Sequence, residues 1–335
     1  MKLGIFTAFR NLHKNYIRSC EELGIDYEIV DIISPNWMEN VQKSGCDGFL
    51  CRPPSKFEER NRMFDERLYF VNKEMKYPIY PSYEELLIYE NKRFTSYWLK
   101  LNGFPHPETN VFYNKKSFLN FISMTKLPIV IKLNTGSTAK GVKIVRSKAQ
   151  AKFIANLTFG LKNDKLAIGY TPQKTGKIFP FPAIGTIQRH HLIVQEYKDI
   201  KWEWRMVKIG ESYFGHKKLK IGEFASGTKL KGWEVPPVEL LNLTKDICTK
   251  GKFNSMNIDI FETSEGQFLV NELQSLFGQS TKYLMYVDGK PGRFIDINGK
   301  FEFEEGNFNQ YESYLLRVKH FIELLKELKG QNCEN

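Results

Sequence analysis

Apolar and polar positions alternate between strand-like and helix-like spacing over the first fifty residues. Strand patterns cover residues 3–7, 27–31 and 48–51, and a helical pattern over 15–23 is closed by Gly24. The strand–helix–strand–helix–strand order predicts a small parallel sheet. No GxGxxG turn follows the first strand, so this region is not predicted to bind a dinucleotide.

A second region begins after the prolines at 78 and 81. Ser82 and Glu85 have the spacing of a capping box, and the helical pattern that they open runs to residues 102–103, where prolines 105 and 107 follow. Further strand patterns cover 127–133 and 192–197.

The last part of the chain predicts an amphipathic helix that packs on the rest of the molecule. One stripe of it carries apolar residues three and four positions apart: Tyr311, Tyr314, Leu315, Val318, Phe321, Ile322, Leu325 and Leu328. With the earlier boundary, the pattern divides the chain into three regions: 1–80, 81–190 and 191–335.

Composition agrees with a folded protein of two or three domains. The chain has 335 residues, of which 41% are hydrophobic and 26% charged, enough to bury a full core. No apolar run approaches the roughly 20 residues that span a bilayer. The opening segment is too short for a signal-peptide core, and the five cysteines form no CxxC pair. We therefore expect a cytoplasmic protein without a membrane partner.

The formal net charge of +11 favours anionic partners. Nucleotides, phosphorylated or carboxylated substrates, nucleic acid and an acidic membrane surface all satisfy this condition. Residues 216–231 are lysine-rich and contain a single acid, Glu223. This stretch is either a solvated surface loop or part of a site for an anionic ligand. The aromatic residues are not grouped into an RNA-binding strand pair, so nucleic acid is the least favoured partner.

A glycine-containing loop at 134–141 follows the predicted strand 127–133. It presents Gly136, Ser137 and Gly141 near Lys132. Small residues let backbone N–H groups approach phosphate oxygens, and a lysine supplies compensating charge. The alternative is an ordinary Gly-Ser hairpin tip. The spacing does not match the GxxxxGK[ST] phosphate-binding loop.

The strongest chemical signal is a hairpin of strands 256–262 and 267–273. With a four-residue turn, Asp259 would lie opposite Val270, and Asn257 opposite Glu272. The two carboxylates are then diagonal neighbours on one face, and Gln274 points to the same side. Two carboxylates and an amide oxygen suit Mg²⁺. The alternative is that these residues are exposed polar positions of a half-buried hairpin.

A further candidate is the end of the strand 192–197 and the segment after it. Gln195, Glu196 and Tyr197 can supply acceptors for an adenine amino group, and the carboxylate of Glu203 can hold a ribose diol. Neither feature is specific when taken alone.

The order of these motifs resembles the ATP-grasp superfamily, and within it the ribosomal-protein glutamate ligase and D-alanine–D-alanine ligase branches. The resemblance covers roughly residues 80–280, and the N-terminal region is similar to the pre-ATP-grasp domain. It implies a mixed α/β and α+β fold, with an N-terminal parallel-sheet lobe (1–80) followed by a two-lobed ATP-grasp fold. Region 81–190 would carry the glycine-rich loop, and region 191–335 the metal hairpin.

The resemblance also implies roles for individual residues. Lys92 and Lys132 resemble the phosphate-contacting lysines, and Gly136, Ser137 and Gly141 belong to the loop that closes over the phosphates. Adenine would be read at Gln195, Glu196 and Tyr197, and the ribose at Glu203. Arg205 resembles an arginine near the transferred phosphoryl group, and Lys217 would lie near the acceptor. The implied magnesium ligands are Asp259, Glu272 and Gln274.

Two departures from the family pattern lie near the metal hairpin. The family usually has asparagine where Gln274 stands, and Phe277-Gly278 replaces the more usual Pro-Gly. The implied activity is an ATP-dependent carboxylate–amine ligase that forms an acyl phosphate, with ATP and Mg²⁺ (Mn²⁺ as an alternative ion) as cofactors. The substrates would be small-molecule or peptide carboxylates and amines. Alternatives are a kinase that phosphorylates a hydroxyl and a nucleotide-binding scaffold without turnover.

Overall fold

The N-terminal region forms a four-stranded parallel sheet. The computed structural model describes residues 1–54, 58–136, 141–160, 167–169, 178–180, 190–225, 230–277 and 281–333. The sheet has the order β2-β1-β3-β4. Its strands are β1 (Lys2–Phe6), β2 (Asp26–Val30), β3 (Gly48–Leu50) and β4 (Ile79–Tyr80). The parallel sheet predicted from the sequence is therefore confirmed.

Helices cover both sides of this sheet. Helix α1 ends, as predicted, at Gly24, which adopts a left-handed conformation with φ of 62° and caps the last carbonyls. The helices of this region are α1 (Lys14–Leu23), α2 (Trp37–Lys43) and α3 (Glu58–Tyr69), with a 3₁₀ turn at Phe9–Asn11 and a π-helical turn at Phe70–Glu74.

The last helix of the chain also packs against the N-terminal sheet. This helix, α9, spans Tyr314–Cys333. Its apolar stripe buries Tyr314, Val318, Phe321 and Leu325 in one cluster with Leu3, Ile5, Tyr16, Leu50 and Tyr80. The predicted amphipathic stripe makes this contact from Tyr314 to Leu325, whereas Tyr311 precedes the helix and Leu328 is exposed.

The helical pattern predicted from Ser82 to residue 102 is two helices rather than one. The capping box is present, because the Ser82 hydroxyl accepts from the Glu85 N–H and the Glu85 carboxylate accepts from the Ser82 N–H. Helix α4 (Tyr83–Ile88) then ends, since Glu90 has a φ of 51° that no right-handed helix accommodates. The Asn91 side chain caps the second helix, α5 (Lys92–Leu101). This break places Lys92 at a helix start.

A four-stranded antiparallel sheet with the order β5-β10-β6-β7 forms the second lobe. Its core is made by Ile129, Ile131, Val145 and Val194 together with residues of two helices. The elements are β5 (Thr109–Phe112), α6 (Lys115–Met124), β6 (Ile129–Lys132), β7 (Val142–Val145), α7 (Lys148–Phe159) and β10 (Leu192–Glu196), beside a parallel pair of β8 (Ala167–Gly169) and β9 (Ile178–Pro180).

The third lobe is built on an eight-stranded antiparallel sheet. Its main path is β17-β16-β11-β12-β19-β18, with β15 beside β12 and β20 beside β19. The strands are β11 (Ile200–Ile209), β12 (Ser212–Lys218), β15 (Lys231–Gly232), β16 (Ser255–Thr263), β17 (Phe268–Gln274), β18 (Tyr286–Val287), β19 (Lys290–Ile297) and β20 (Lys300–Glu305); a small pair, β13 (Lys220–Ile221) and β14 (Phe224–Ala225), lies outside it.

One face of this large sheet is apolar and the other carries charge. Trp204, Met206, Ile258 and Ile260 pack in one core with residues of helix α8 (Val238–Gly251). Since side chains alternate along a strand, the residues between them point to the opposite face. No helix in the described part of the chain has the length and apolarity that crossing a membrane requires.

Candidate functional site

The predicted metal hairpin brings its carboxylates closer together than expected. Asp259 pairs directly with Glu272, and Asn257 pairs with Gln274. The predicted register, with Asp259 opposite Val270 and Asn257 opposite Glu272, is wrong. Two extra residues cause the shift. Glu262 pairs with Phe268, so the turn is longer than assumed, and a β-bulge adds one more residue to β17 between Val270 and Glu272.

The extra residue of the bulge is Asn271, which the sequence reasoning missed. Its side-chain oxygen accepts from the Lys132 ammonium at 2.6 Å, and its amide nitrogen donates to Glu203 at 2.8 Å. Asn271 therefore joins the second lobe, which carries Lys132, to the charged face of the large sheet. A bulge is not readable from the alternation of residues, so no sequence signal pointed to this role.

Asp259 is buried and held by cations. The Arg205 guanidinium donates two hydrogen bonds of 3.1 Å to its two oxygens, and Lys218 forms an ion pair with it. The Asn257 amide donates a third contact at 3.2 Å. Burial opposes ionisation, but Arg205 and Lys218 outweigh it and hold the pKa of Asp259 well below its usual range. The carboxylate is therefore ionised and positioned across the hairpin.

Lys218 connects Asp259 to Glu203. The Lys218 ammonium is buried and pairs with both carboxylates, while Asn271 donates to the other oxygen of Glu203. Burial raises the pKa of Glu203, and Lys218 partly offsets that effect. Lys218 was missed by the sequence reasoning. The signal that identifies it is strand alternation, since Lys218 lies directly opposite Glu203 on β11.

Lys217, the predicted acceptor-side lysine, lies on the opposite face of β12. Its ammonium is 3.6 Å from the ring centre of Trp202 and 5.0 Å from that of Trp204, and it pairs with Glu234. The structure thus brings Arg205 together with Asp259 but does not bring Lys217 to the carboxylates. Neighbouring residues of a strand point to opposite sides, and a lysine-rich stretch does not show which lysine faces the site.

Glu272 is held by a second cation, Lys92. Their side chains are 3.0 Å apart, and the Gln274 amide nitrogen donates to Glu272 at 2.9 Å. Lys92 also donates to the Gly136 carbonyl at 2.8 Å, and the Gly136 N–H donates to Glu90 at 3.0 Å. Burial lowers the pKa of Lys92, and Glu272 and Glu90 together raise it above its usual value. The loop that begins at Gly136 is therefore tied to the hairpin through α5.

Glu90 was also missed by the sequence reasoning. Its backbone N–H approaches the Gln274 oxygen at 3.4 Å, and burial raises the pKa of its carboxyl group. Among the predicted loop residues, Gly141 has a φ of 91° and its carbonyl accepts from the Leu133 N–H at 2.8 Å. Ser137 lies outside the described residues.

A cleft separates the second lobe from the hairpin, and the predicted phosphate lysines line it. Lys132 is 7% exposed, and burial lowers its pKa to about 8. Gln195, on the adjacent strand, lies on the same wall, and its amide donates to Thr109 at 3.2 Å. The cleft is lined by Lys92, Thr95, Ser96, Leu99, His106, Thr109, Lys132, Ile193, Gln195, Val270, Asn271 and Glu272.

Glu196 and Tyr197, which follow Gln195, are not among the residues that line the cleft. Glu196 accepts from the Glu108 N–H at 3.0 Å and pairs with Lys198 at the same distance. Tyr197 follows the end of β10 and is half-buried. Of the predicted adenine-binding residues, Gln195 is the one whose side chain lines the cleft.

The oxygen-rich face of the hairpin fits a hard divalent cation. Asp259, Glu272 and Gln274 supply two carboxylates and an amide oxygen, and the Oδ1 atom of Asn257 is buried without a hydrogen-bond partner among the described residues. Such ligands suit Mg²⁺, which keeps water and phosphate oxygens as its remaining ligands. Over the described ranges, no group of three or more His, Cys, Asp or Glu side chains is placed to hold a metal. A metal site at the hairpin therefore needs the amide oxygens of Gln274 and Asn257 in addition to the two carboxylates.

His216 lies on the charged face, opposite Arg205, and is a further residue that the sequence reasoning missed. It is buried, its Nδ1 contacts the Leu284 carbonyl at 3.1 Å, and its Nε2 has no partner within the described part of the chain. Burial and the nearby Arg205 lower its pKa to about 3, so the ring is neutral. His216 therefore adds a hydrogen-bonding group, but no charge, to this face.

Comparisons with known proteins give a relative in sequence and relatives in fold. No protein-family model matches the chain. It is 23% identical over 281 residues to alpha-aminoadipate–LysW ligase LysX of Saccharolobus solfataricus, which spans 78% of this chain and 88% of that protein.

Two solved structures share the architecture. D-alanine–D-alanine ligase from Bacillus anthracis has a TM-score of 0.56 at 14% identity, over 98% of this chain and 99% of that chain. A RimK domain ATP-grasp protein from Sphaerobacter thermophilus has a TM-score of 0.52 at 15% identity, over 82% and 90% of the two chains. At these identities the likeness shows the fold, and the fold class predicted from the sequence is confirmed.

Proposed function

We propose that this chain, which has the ATP-grasp fold, is an ATP-dependent ligase that activates a carboxylate and joins it to an amine. The observation that carries the proposal is the direct cross-strand pair of Asp259 and Glu272, each held by buried cations. The cleft beside this pair is lined by Lys92 and Lys132. The name of the relative, an alpha-aminoadipate–LysW ligase, supports the same class of reaction.

ATP would bind in the cleft between the second lobe and the hairpin. Gln195 would contact the adenine, and Glu203 the ribose. Lys92, Lys132 and the backbone at Gly136 would contact the phosphates, since the two lysines line the cleft and Lys92 contacts Gly136. Asp259, Glu272 and Gln274 would hold Mg²⁺, or Mn²⁺ as an alternative. The bound ion supplies charge neutralisation for the phosphates.

Lys92 and Arg205 already have carboxylate partners, and these partners would change when phosphate enters. Lys92 can turn from Glu272 to a phosphate oxygen, and Arg205 lies where it can compensate charge on the transferred group. These groups are oriented before the ligand arrives, so less conformational entropy is lost on binding.

The reaction would proceed in two balanced steps. A substrate carboxylate oxygen attacks the γ-phosphorus, the bond to the bridging oxygen breaks, and ADP leaves. The amine nitrogen then attacks the carbonyl carbon of the acyl phosphate, phosphate leaves, and the nitrogen loses a proton. An acyl phosphate hydrolyses readily, so the enclosed position of the site protects it from water.

A screen for ADP release over carboxylate and amine pairs tests the proposal. We would include α-aminoadipate, because the relative's name specifies it. We expect ADP and phosphate release that depends on both substrates, with a product whose mass equals their sum less one water. Stable phosphoester formation on a hydroxyl would identify a kinase instead. Nucleotide binding without turnover on any pair would support the scaffold alternative.

A further inference from the structure

Arg317 on α9 is a fully buried guanidinium without a hydrogen-bond acceptor. Its exposed fraction is 0%, and none of its three side-chain nitrogens has a partner among the described residues. Its guanidinium carbon lies 4.3 Å from the ring centre of Phe277 and 5.2 Å from that of Tyr314. Ring faces compensate part of a cation's charge but accept none of its N–H groups in a strong hydrogen bond.

Arg52 is a second arginine with buried nitrogens that are unpaired among the described residues, although its side chain is half-buried rather than fully buried. Its Nε and Nη1 atoms are buried without an acceptor in the described part of the chain. Tyr16 and Tyr314, whose rings are 4.5 Å apart, lie near both guanidinium groups. Both tyrosines act electrostatically on Arg52, Arg317 acts on Tyr16, and Arg317 also lies against the Tyr314 ring. The two arginines therefore border one aromatic cluster.

Arg317 acts electrostatically on the buried carboxyl group of Glu85, but Glu85 accepts no hydrogen bond from it. Arg317 partly lowers the pKa of Glu85, which burial raises to about 7. Both Glu85 oxygens are already used, since they accept from the Ser255 N–H at 2.5 Å and from the Ser82 N–H at 2.6 Å. Burying a charge without hydrogen bonds costs several kcal/mol. The chain thus keeps a costly group for which the described residues give no structural reason.

The position of these arginines is one where α/β folds bind ligands. Arg52 follows the carboxyl end of β3, and the strand order reverses between β1 and β3. A crevice opens at such a reversal. Ser275, which is buried and whose hydroxyl has no partner within the described ranges, directly follows Gln274 of the metal hairpin. Phe277, whose ring lies against the Arg317 guanidinium, is three positions beyond Gln274, so the arginines lie beside a segment that is close in sequence to the candidate phosphate-transfer site.

From these observations we infer that Arg52 and Arg317 form a binding site for a carboxylate group. A guanidinium presents paired N–H donors that match the two oxygens of a carboxylate. Calling the ligand a substrate of the ligase rests on the proposed function; the anion site itself does not. The bound carboxylate would anchor the substrate, whereas the reacting carboxylate would lie nearer to Arg205.

The test measures the melting temperature of the full chain with L-glutamate, glutarate or inorganic phosphate at equal ionic strength. The variants are Arg317→Met and Arg52→Gln. The matched control is Arg18→Gln, since Arg18 is an exposed arginine that also lies over a tyrosine, 4.3 Å from the ring centre of Tyr311. In the wild type and the control, the carboxylates should raise the melting temperature by about 2–4 °C at saturation. Each site variant should weaken binding at least about tenfold.

The stability of Arg317→Met without added anion, compared with that of the wild type, gives a second measurement. Because Arg317 is a buried charge without a hydrogen-bond acceptor among the described residues, Arg317→Met should be as stable as the wild type or more stable. A less stable or unfolded Arg317→Met protein would mean that the arginine supports the structure, which overturns the inference. So would an unchanged response to carboxylate in both site variants, a response to phosphate alone, or no response of the wild type. Affinity for Mg·ADP, measured in the same proteins, tests the proposed function separately and should not change.

Discussion

Two regions of this molecule hold largely buried cations, and the regions differ in whether the described residues supply hydrogen-bond acceptors for them. At the hairpin, Arg205, Lys218 and Lys92 each pair with a carboxylate of the site. At the end of the N-terminal sheet, Arg52 and Arg317 have no acceptor for most of their N–H groups among the described residues. We expect the hairpin cations to stabilise the free protein and to exchange partners when a nucleotide binds. We expect the arginines to cost stability unless an anion is bound.

The contrast shows that burial of charge alone does not identify a function. A buried cation with its own carboxylate can be structural, catalytic or both, and only replacement of the partner separates these roles. A buried cation without a partner has no stabilising role to explain it. Mutations in the two regions test this difference, and the removal of Glu272 should have the largest effect.

Removal of Glu272 should have the largest consequence for activity. In Glu272→Gln, Lys92 loses its carboxylate partner and the cross-strand pair loses one of its two carboxylates. We expect Mg·ATP-dependent turnover to fall by about 10³-fold, as when a preorganised charge is removed from an active site. Steady-state ADP release measures the loss. Glu265→Gln, in the exposed turn of the same hairpin, serves as the control. Turnover within tenfold of the wild type would remove the assignment of Glu272.

Lys218→Met should destabilise the protein strongly. The change leaves Glu203 and Asp259 buried without the ammonium that neutralises both. Breaking a buried pair in this way costs about 3–5 kcal/mol. Urea unfolding measures the free energy of unfolding. The outcome contrasts with Arg317→Met, where loss of a buried cation should cost nothing. A loss below about 1 kcal/mol for Lys218→Met would contradict the proposed difference between the two regions.

The pH dependence of nucleotide binding should follow Lys132. Burial lowers the pKa of this lysine to about 8 in the free protein, so it loses its proton between pH 7 and 9. The protonated form binds phosphate, and affinity should therefore fall as pH rises, by up to about tenfold at pH 9. Titration calorimetry with Mg·ADP measures this. Lys132→Arg keeps its charge and should show a flatter profile; an equally steep decline in that variant would point to another group.

Lys217→Met should have the smallest effect, although its position is adjacent to Lys218. Its partner Glu234 has a side chain that is 65% exposed, and its other contacts are the ring faces of Trp202 and Trp204. We expect a loss of about 1 kcal/mol in the free energy of unfolding, with nucleotide affinity unchanged. Parallel urea titrations of the Lys217 and Lys218 variants provide the comparison. Equal losses in the two variants would mean that the lysines on the two faces of β12 contribute equally to the free energy of unfolding.

The sequence predicts the elements of this fold better than their alignment. The capping box at Ser82, the cap at Gly24 and the apolar stripe of α9 are local patterns, and each forms as expected, except that the buried stripe is shorter at both ends. Such patterns follow from spacing within one segment, which the printed sequence contains in full.

The site was predictable in type but not in register. Asp259, Glu272 and Gln274 converge, but the bulge at Asn271 decides which residues are opposite one another. A bulge depends on packing between segments far apart in the chain, and it leaves no local signature. The pairing of the two arginines could not be predicted either. Arg52 and Arg317 are 265 positions apart in sequence, and only the packing of α9 brings them near the same tyrosines.

The packing of α9 on the first sheet has a consequence for biosynthesis. Leu3, Ile5 and Leu50 leave the ribosome before Val318 and Phe321, which emerge roughly 270 to 320 residues later. Until then, one surface of the nascent sheet lacks its native cover and exposes apolar side chains, a condition that favours chaperone binding and aggregation. This lobe is thus translated before the other two, yet its core is completed only after they have been made.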